Sequence, residues 1–570
     1  MSSLAARQSP ARGLPARRRS VTASEVVAWL IVAGVALFVL APLANLLRLA
    51  VHGDTEIWQH LVAYVLPAAL RDTLLLLAGV AIVTGAVGTG TAWLVTAYRF
   101  PGRDSLAWLL ALPLALPTYL VAYIYVDMFD ALGPVQNLIE AITGARPGAW
   151  YPQIRSLGGA VFVFSLVLYP YVFLAARAMF QTQSASLFEV ARTLGATRFM
   201  LARHVALPLA RPALAVGLSL ALMETLNDIG ASEYLGVRTL TLSIFTTWLN
   251  RSSLPSAAQI ACIMLVVVAG LVWLERYGRR DKRFHLGARR SRTLTPIVLT
   301  GRAALTACLV CALPVLLGFA LPAAYLVHQV FMRGLLIGFD PDLIRHTLTT
   351  LALAAAATVA ALAIGLAAVV ATRLLRRPSA DATLMFAGLG YAVPGTVLAL
   401  ALLSPLVWID DGINWVARGL TGAGVGLVIA GSSAAIVIAY VIRFLAIATG
   451  SAAAGLARIS THVDDAARTL GEKPGGVMRR IHIPLARPAL GGAALLVFVD
   501  CLKELSATLL LRPLNVETLS TYIYQFATRG TFEEGSLAAL LIVAAGLLPV
   551  IWMVRYADLE PSPETGSPHQ

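Results

Sequence analysis

Long apolar runs alternate with short polar segments along the chain. The runs lie at roughly 26–47, 72–97, 105–128, 157–180, 210–229 and 256–275, then at 300–327, 347–372, 383–407, 424–448, 488–507 and 536–555. A helix that spans a bilayer needs about 20 apolar residues, so the pattern predicts about 12 transmembrane helices in an all-α polytopic membrane protein. A basic arm with Arg7, Arg12, Arg17, Arg18 and Arg19 precedes the first run. That run exceeds the 7–15 residues of a signal-peptide core, so it reads as a retained helix.

Composition narrows the class. Of 570 residues, 58% are hydrophobic and 13% charged, against about 25% charged in soluble chains. Cytosolic enzymes, disordered proteins and disulfide scaffolds are disfavoured. The net charge of +14 is mostly topological. With the N-terminus inside, most Lys and Arg, including the basic linker after residue 275, fall on the cytoplasmic side, as the positive-inside rule requires. Nucleic acid is not needed to explain the charge, and both termini are expected in the cytoplasm.

The chain also repeats itself. Glu189-Val-Ala-Arg-Thr-Leu-Gly-Ala returns 276 residues later as Asp465-Ala-Ala-Arg-Thr-Leu-Gly-Glu, and Leu207-Pro208-Leu-Ala-Arg-Pro-Ala-Leu returns as Ile483-Pro484-Leu-Ala-Arg-Pro-Ala-Leu. Pro101 pairs with Pro378 and Pro117 with Pro394 at nearly that spacing. The organisation reads as a cytoplasmic arm 1–25, a six-span repeat 26–275, a basic cytoplasmic linker 276–299, a second repeat 300–555 and a cytoplasmic tail 556–570. Six spans per unit make the repeats parallel, related by an axis along the membrane normal. Two similar bundles are expected to face each other across a possible pathway.

Each half carries one copy of the repeated loop between its fourth and fifth spans, near 186–208 and 462–484. The first copy reads as a short helix from Glu189, a break at Gly195 and a second short helix before Leu207-Pro208. Proline at 208 suits the start of a new helix, where its missing N–H costs nothing. Ala191 and Ala467 leave room for close packing against a partner. In both copies the acid precedes the glycine by six positions, and the glycine precedes the Leu/Ile-Pro pair by twelve.

This spacing resembles the EAA motif of bacterial ABC importer permeases. The first copy keeps Glu189, Ala191, Gly195, Leu207 and Pro208, with Val190 and Val205 at two apolar positions. The second keeps Ala466, Ala467, Gly471, Ile481 and Pro484, with Asp465 for the acid and Ile483 for leucine. The resemblance implies two fused MetI-like permease repeats, each docking its loop as a coupling helix on a separate ATPase. Glu189, Ala191, Gly195, Leu207, Pro208, Asp465, Ala467, Gly471, Ile483 and Pro484 are then the ATPase-coupling residues. Softer likenesses, Leu112-Pro-Leu-Ala-Leu-Pro-Thr-Tyr119, Gly133-Pro-Val-Gln136 and Met223-Glu-Thr-Leu-Asn-Asp228, point to the ferric-iron permeases. The implied partners are two ATPase copies, which would hold ATP and Mg, and a periplasmic or lipid-anchored substrate-binding protein. The permease itself is expected to bind no cofactor and catalyse nothing, in a bacterial inner membrane. Thiamine, polyamines or another small solute are alternative cargoes. A gradient-driven carrier is an alternative class, disfavoured because it has no reason to duplicate an ATPase-docking surface.

Ionisable groups inside spans are costly and usually face a bundle interior or water. Glu224 and Asp228 are four apart, expected on one face of the fifth span, and the offset maps them onto Asp500 and Glu504. Four carboxylates at matching depth suit a cation pathway, since such oxygens favour hard metal ions. Lys503 lies within a turn of the second pair and neutralises part of it. Tyr119, Tyr123 and Tyr125 read more readily as interfacial anchors than as pathway lining. Cys308-x-x-Cys311 reads as helix packing. No phosphate-binding loop, zinc-hydrolase signature or nucleophile elbow is present.

Overall fold

The computed structural model describes residues 23–53, 55–148, 150–182, 193, 197, 200–279, 296–336, 341–457 and 459–558. Eleven of its helices are long and apolar enough to cross a membrane. The pair Arg103–Ala115 and Thr118–Thr143, bent by 90°, is together long and apolar enough to be a twelfth. Most of the basic arm, residues 280–295 of the linker and the tail from 559 lie outside the described residues.

The six spans of the first half run through Ala23–Val51, Leu66–Ala97, the bent pair, Leu157–Thr182, Leu207–Asn227 and Leu254–Arg279. Those of the second run through Gly301–Met332, Pro341–Leu375, Gly395–Thr421, Ala434–Ala457, Ile483–Leu502 and Ser536–Asp558. The basic linker stops short of independence: the helix before it continues to Arg279, and Ile297–Val298 beyond it pairs in parallel with Tyr98–Arg99.

Proline acts in two different ways. The residue before a proline is pushed out of the helical region. Leu116 before Pro117 sits at φ −95, ψ 125, and Val393 before Pro394 at φ −80, ψ 122. The third span therefore breaks at the same place in both halves, where the sequence pattern had suggested one run over 105–128 and another over 383–407.

Elsewhere a proline leaves its helix intact. Among the described residues four π-helical turns occur, Leu61–Val65, Leu201–Ala206, Leu316–Ala320 and Met478–His482, and each is followed at the second position by proline: Pro67, Pro208, Pro322 and Pro484. An α-turn here would set the ring against a carbonyl and orphan that carbonyl. A π-turn widens the ladder by one residue. Ala206 and His482 keep helical angles (φ −67, ψ −48 and φ −65, ψ −50). This corrects the expectation that Pro208 and Pro484 begin new helices. The fifth spans are continuous rods over Arg203–Asn227 and Gly475–Leu502.

Close backbone approach holds each bundle. A Cβ at Gly88 would lie 2.8 Å from Tyr169 O, and one at the equivalent Gly365 2.9 Å from Ala448 Cβ. Small residues at such crossings let membrane helices gain dispersion contacts over a large area. Gly422 and Gly426, spaced for that role, instead adopt φ of +76° and +79° in the turn after Thr421.

The bundles also exchange their first helices. Ala23–Val51 packs on Pro341–Leu375 and Gly395–Thr421 of the other half, with Asn45 Nδ2 donating to Ala401 O at 3.0 Å. Reciprocally, Gly301–Met332 runs against the first half, where Tyr125 OH donates to Leu317 O at 2.8 Å. The two units are interlocked rather than merely facing.

Candidate translocation pathway and coupling loops

A cavity of about 70 Å³ lies between the halves, and Glu224, Asp228, Asp500 and Glu504 all line it, with Arg443, Lys503, Asn227 and Tyr119. The repeat therefore brings the four sequence-selected acids together. Their local setting differs from expectation. The fifth span ends at Asn227, and Asp228 is extended at φ −82, ψ 110. Asp228 does not share a helical face with Glu224. It caps the next short helix, Ile229–Tyr234, accepting from Ala231 N at 2.8 Å.

Glu504 does the same in the second half. It follows the helix that ends at Leu502 and accepts from the backbone of Ala507 at 3.1 Å and of Thr508 at 3.2 Å. Ala231 and Ala507 are themselves one repeat apart. A carboxylate at a helix start satisfies amides that lack intrahelical partners. These two acids thus have a folding role that spacing alone did not reveal.

Two bases balance part of the charge. Arg443 Nη1 donates to Glu504 Oε1 at 2.7 Å, both side chains being almost wholly buried, and to Asn227 Oδ1 at 2.8 Å. Lys503 Nζ lies 2.9 Å from Asp500 Oδ1. Tyr391 OH donates to Glu224 Oε1 at 3.1 Å. Asn227 also joins the halves, accepting from Gly395 N at 2.7 Å, while its carbonyl accepts from Ser506 Oγ at 2.6 Å. Sequence reasoning missed Arg443, Asn227 and Tyr391. Arg443 was findable, as a lone arginine in the apolar run Ala434–Ala457.

The tyrosines move inward relative to expectation. Tyr119, Tyr123 and Tyr125 are all buried, so they do not anchor a lipid interface. Tyr123 meets Tyr234 and Phe532 edge-on, at centroid distances of 4.7 and 5.6 Å. Among the described residues, no three His, Cys, Asp or Glu side chains converge closely enough to hold a metal ion. The cavity offers a field of oxygen donors rather than a cage.

Of the first loop, Glu189, Ala191 and Gly195 lie outside the described residues, while Leu207 and Pro208 lie within the continuous rod of the fifth span, just after its π-turn. The second loop is described nearly throughout. Thr461–Thr469 forms its helix, Gly471 turns the chain at φ +87°, and the rod carrying Ile483 and Pro484 follows. Ala467 is buried against its own chain, and Leu470, 85% exposed, is what the turn presents outward. Asp465, half exposed, pairs with Arg376 at 2.6 Å.

Beneath it, Asp464 joins three segments. Its Oδ2 accepts from Arg373 Nε at 2.6 Å and its Oδ1 lies 2.9 Å from His482 Nε2. Arg373 also donates to the carbonyls of Leu456 and Ile459 at 2.6 and 2.8 Å, closing the end of the fourth span. Burial opposes ionisation of Asp464, yet its hydrogen bonds from Arg373 and His482 outweigh that and hold its carboxyl below the usual range.

A family model for the inner membrane component of binding-protein-dependent transport systems matches residues 85–283 and 361–560. The chain belongs to that family. It is thus an ABC importer permease with two such units in one polypeptide. The permease is 23% identical over 503 residues to the Fe(3+)-transport system permease protein FbpB 2 of Haemophilus influenzae, covering 86% of this chain and 90% of that one. It is 30% identical over 258 residues to the sulfate transport system permease protein CysT of Salmonella typhimurium, covering 43% and 90%. Among solved structures, a bacterial alginate ABC transporter in complex with an alginate pentasaccharide-bound periplasmic protein matches the permease with a TM-score of 0.37 and 17% identity, over 45% of this chain and 91% of that one.

Proposed function

We propose that this permease admits ferric iron across a bacterial inner membrane, driven by ATP hydrolysed on a separate subunit. The observation that carries the reading is the convergence of Glu224, Asp228, Asp500 and Glu504 on one cavity between the halves. Four carboxylates against two bases leave a formal excess of negative charge, which raises the local concentration of cations. Carboxylate and tyrosine oxygens are hard donors, suited to hard metal ions. The iron permease named above aligns across both halves, whereas the sulfate permease aligns with less than half of the chain.

The loops face the cytoplasm in this reading, with both termini on the same side. One ATPase copy docks at each loop, around Glu189–Gly195 in the first half and Asp465–Gly471 in the second. A periplasmic or lipid-anchored binding protein delivers cargo to the opposite face. ATP and Mg belong to the ATPase.

The chain's own part is mechanical. The rod Gly475–Leu502 has 28 residues, roughly 42 Å at 1.5 Å per residue. Its π-turn lets the helix run on through Pro484, so one helix connects the loop to Asp500. The ATPase must favour one permease state over the other, since equal affinity for both would shift nothing.

The test is reconstitution with a partner ATPase and binding protein from the same organism. Vesicles are expected to accumulate radiolabelled ferric iron only with internal ATP, and excess sulfate is expected not to compete. ATP-dependent sulfate uptake without iron uptake would defeat the cargo assignment. Uptake with no ATPase present would defeat the transport class.

A further inference from the structure

The acids of the cavity obey the repeat and the bases do not. Glu224 matches Asp500 and Asp228 matches Glu504, each 276 residues apart, but Lys503 stands where the first half has Asn227 and Arg443 where it has Val167. All of these residues line the cavity. Both second-half acids are consequently neutralised, Asp500 by Lys503 and Glu504 by Arg443. Among the described residues neither Glu224 nor Asp228 has a base within ion-pair distance. Tyr119, 4% exposed and on the same cavity wall, has a hydroxyl without a hydrogen-bond partner.

We propose that Lys503 is a tethered counter-cation that sets which cations the cavity admits. Glu224, Asp228 and the Tyr119 hydroxyl form the receiving side for a hard, multiply charged cation, and Lys503 gives up Asp500 as that cation arrives. This rests on the reading of the permease as a cation importer. Arg443 cannot play the same part: it is locked between Asn227 and Glu504 and is 6% exposed. Lys503 makes one ion pair, is 24% exposed, and sits just past the end of its helix on a four-carbon stem.

The selectivity follows from charge and tethering. A monovalent ion offers Asp500 the same charge as the lysine but arrives from dilute solution, whereas the tethered ammonium is always at hand. Coulomb attraction grows with the charge of the incoming ion, so a trivalent ion displaces the lysine where sodium or potassium cannot. The lysine would thereby also keep the resting pathway closed to the abundant monovalent ions.

The experiment uses the full-length permease in lipid nanodiscs and terbium(III) as the probe, a hard trivalent ion whose emission is sensitised by nearby tyrosine. Glu224→Gln is expected to weaken terbium binding about tenfold. Lys503→Met should tighten it about tenfold and let potassium compete where it does not in the parent, while Lys503→Arg restores the parent behaviour. The tenfold scale is that of one pKa unit of charge interaction. Lys503→Gln serves in place of methionine should the latter fail to fold, as judged by thermal unfolding. Unchanged or weaker binding in Lys503→Met, or in the glutamine variant that replaces it, overturns the counter-cation role. Terbium binding that ignores the Glu224→Gln and Asp228→Asn changes places the ion elsewhere and overturns it too. Folded protein with no terbium binding in any variant instead defeats the cation-import reading itself.

Discussion

Asp464 illustrates how a single buried side chain fixes the loop to the spans around it. Its carboxylate holds the loop helix to the second span through Arg373 and to the rod through His482. Its folded-state pKa lies below the ordinary carboxylate value. The stabilisation is therefore complete above that ordinary value and is lost as pH falls through the depressed one; at neutral pH it is fully present. Asp464→Asn is expected to cost about 1–3 kcal/mol, the penalty for an ill-satisfied buried group, read as faster hydrogen exchange over residues 459–482. Gly471 is the other residue of consequence. With φ at +87°, a β-branched side chain there is strained by roughly 1–2 kcal/mol. Gly471→Val should abolish ATP-coupled uptake while the protein still reaches the membrane; retained uptake in that variant, and in the double change with Gly195, would remove the docking role. The loop glycine was legible because its spacing recurs. Asp464 was not, because its mate at the same offset is Phe188 and the Arg373 contact spans 91 positions.

At the scale of elements, the rods Arg203–Asn227 and Gly475–Leu502 run up to the cavity acids. Proline is common at the first turn of helices, so Leu207-Pro208 and Ile483-Pro484 read as starts. The same residues also suit the turn after a π-bulge, and apolar periodicity does not separate the two. Pro117 and Pro394 look alike in sequence yet do break their spans. In the rods, an extra residue in the preceding turn relieves the ring clash; at the breaks, the backbone leaves the helical region. Deleting Arg479 from the π-turn Met478–His482 should rotate the loop against the cavity acids by about 100°. Uptake is expected to fail while the protein remains folded by circular dichroism, whereas Pro484→Ala alone should be tolerated. The acids were similarly half legible. Their convergence followed from the repeat, but the ending of the helix at Asn227 moved Asp228 off the face of Glu224 and into a cap.

The whole molecule adds what neither half contains. Because each first helix packs on the opposite bundle as well as on its own, the linker is not what keeps the halves together. Cleaving the chain between residues 285 and 286 should leave two fragments that co-purify from membranes. Fragments that separate would contradict the interlock. The cavity is likewise shared: Arg443 of one half bonds Asn227 of the other, and Tyr391 bonds Glu224. Glu504→Ala would strand Arg443 as an unpaired buried charge, a change that costs about 3–5 kcal/mol. It is expected to lower the melting temperature of the purified permease well beyond the effect of Asp500→Asn, whose lysine partner can reach water.

From its sequence alone the protein reads as a polytopic membrane protein of about a dozen apolar helices, a duplication of one unit and the bearer of two like loops. Those properties depend on local apolarity, on charge balance across a bilayer and on spacing along one chain, all of which are written in linear order. Tertiary structure alone decided that the first helices cross over, that two of the four acids cap helices, and that the bases sit on one side of the cavity. Each of these depends on which distant segments meet, and burial makes a charge respond to those neighbours far more than to its place in the chain.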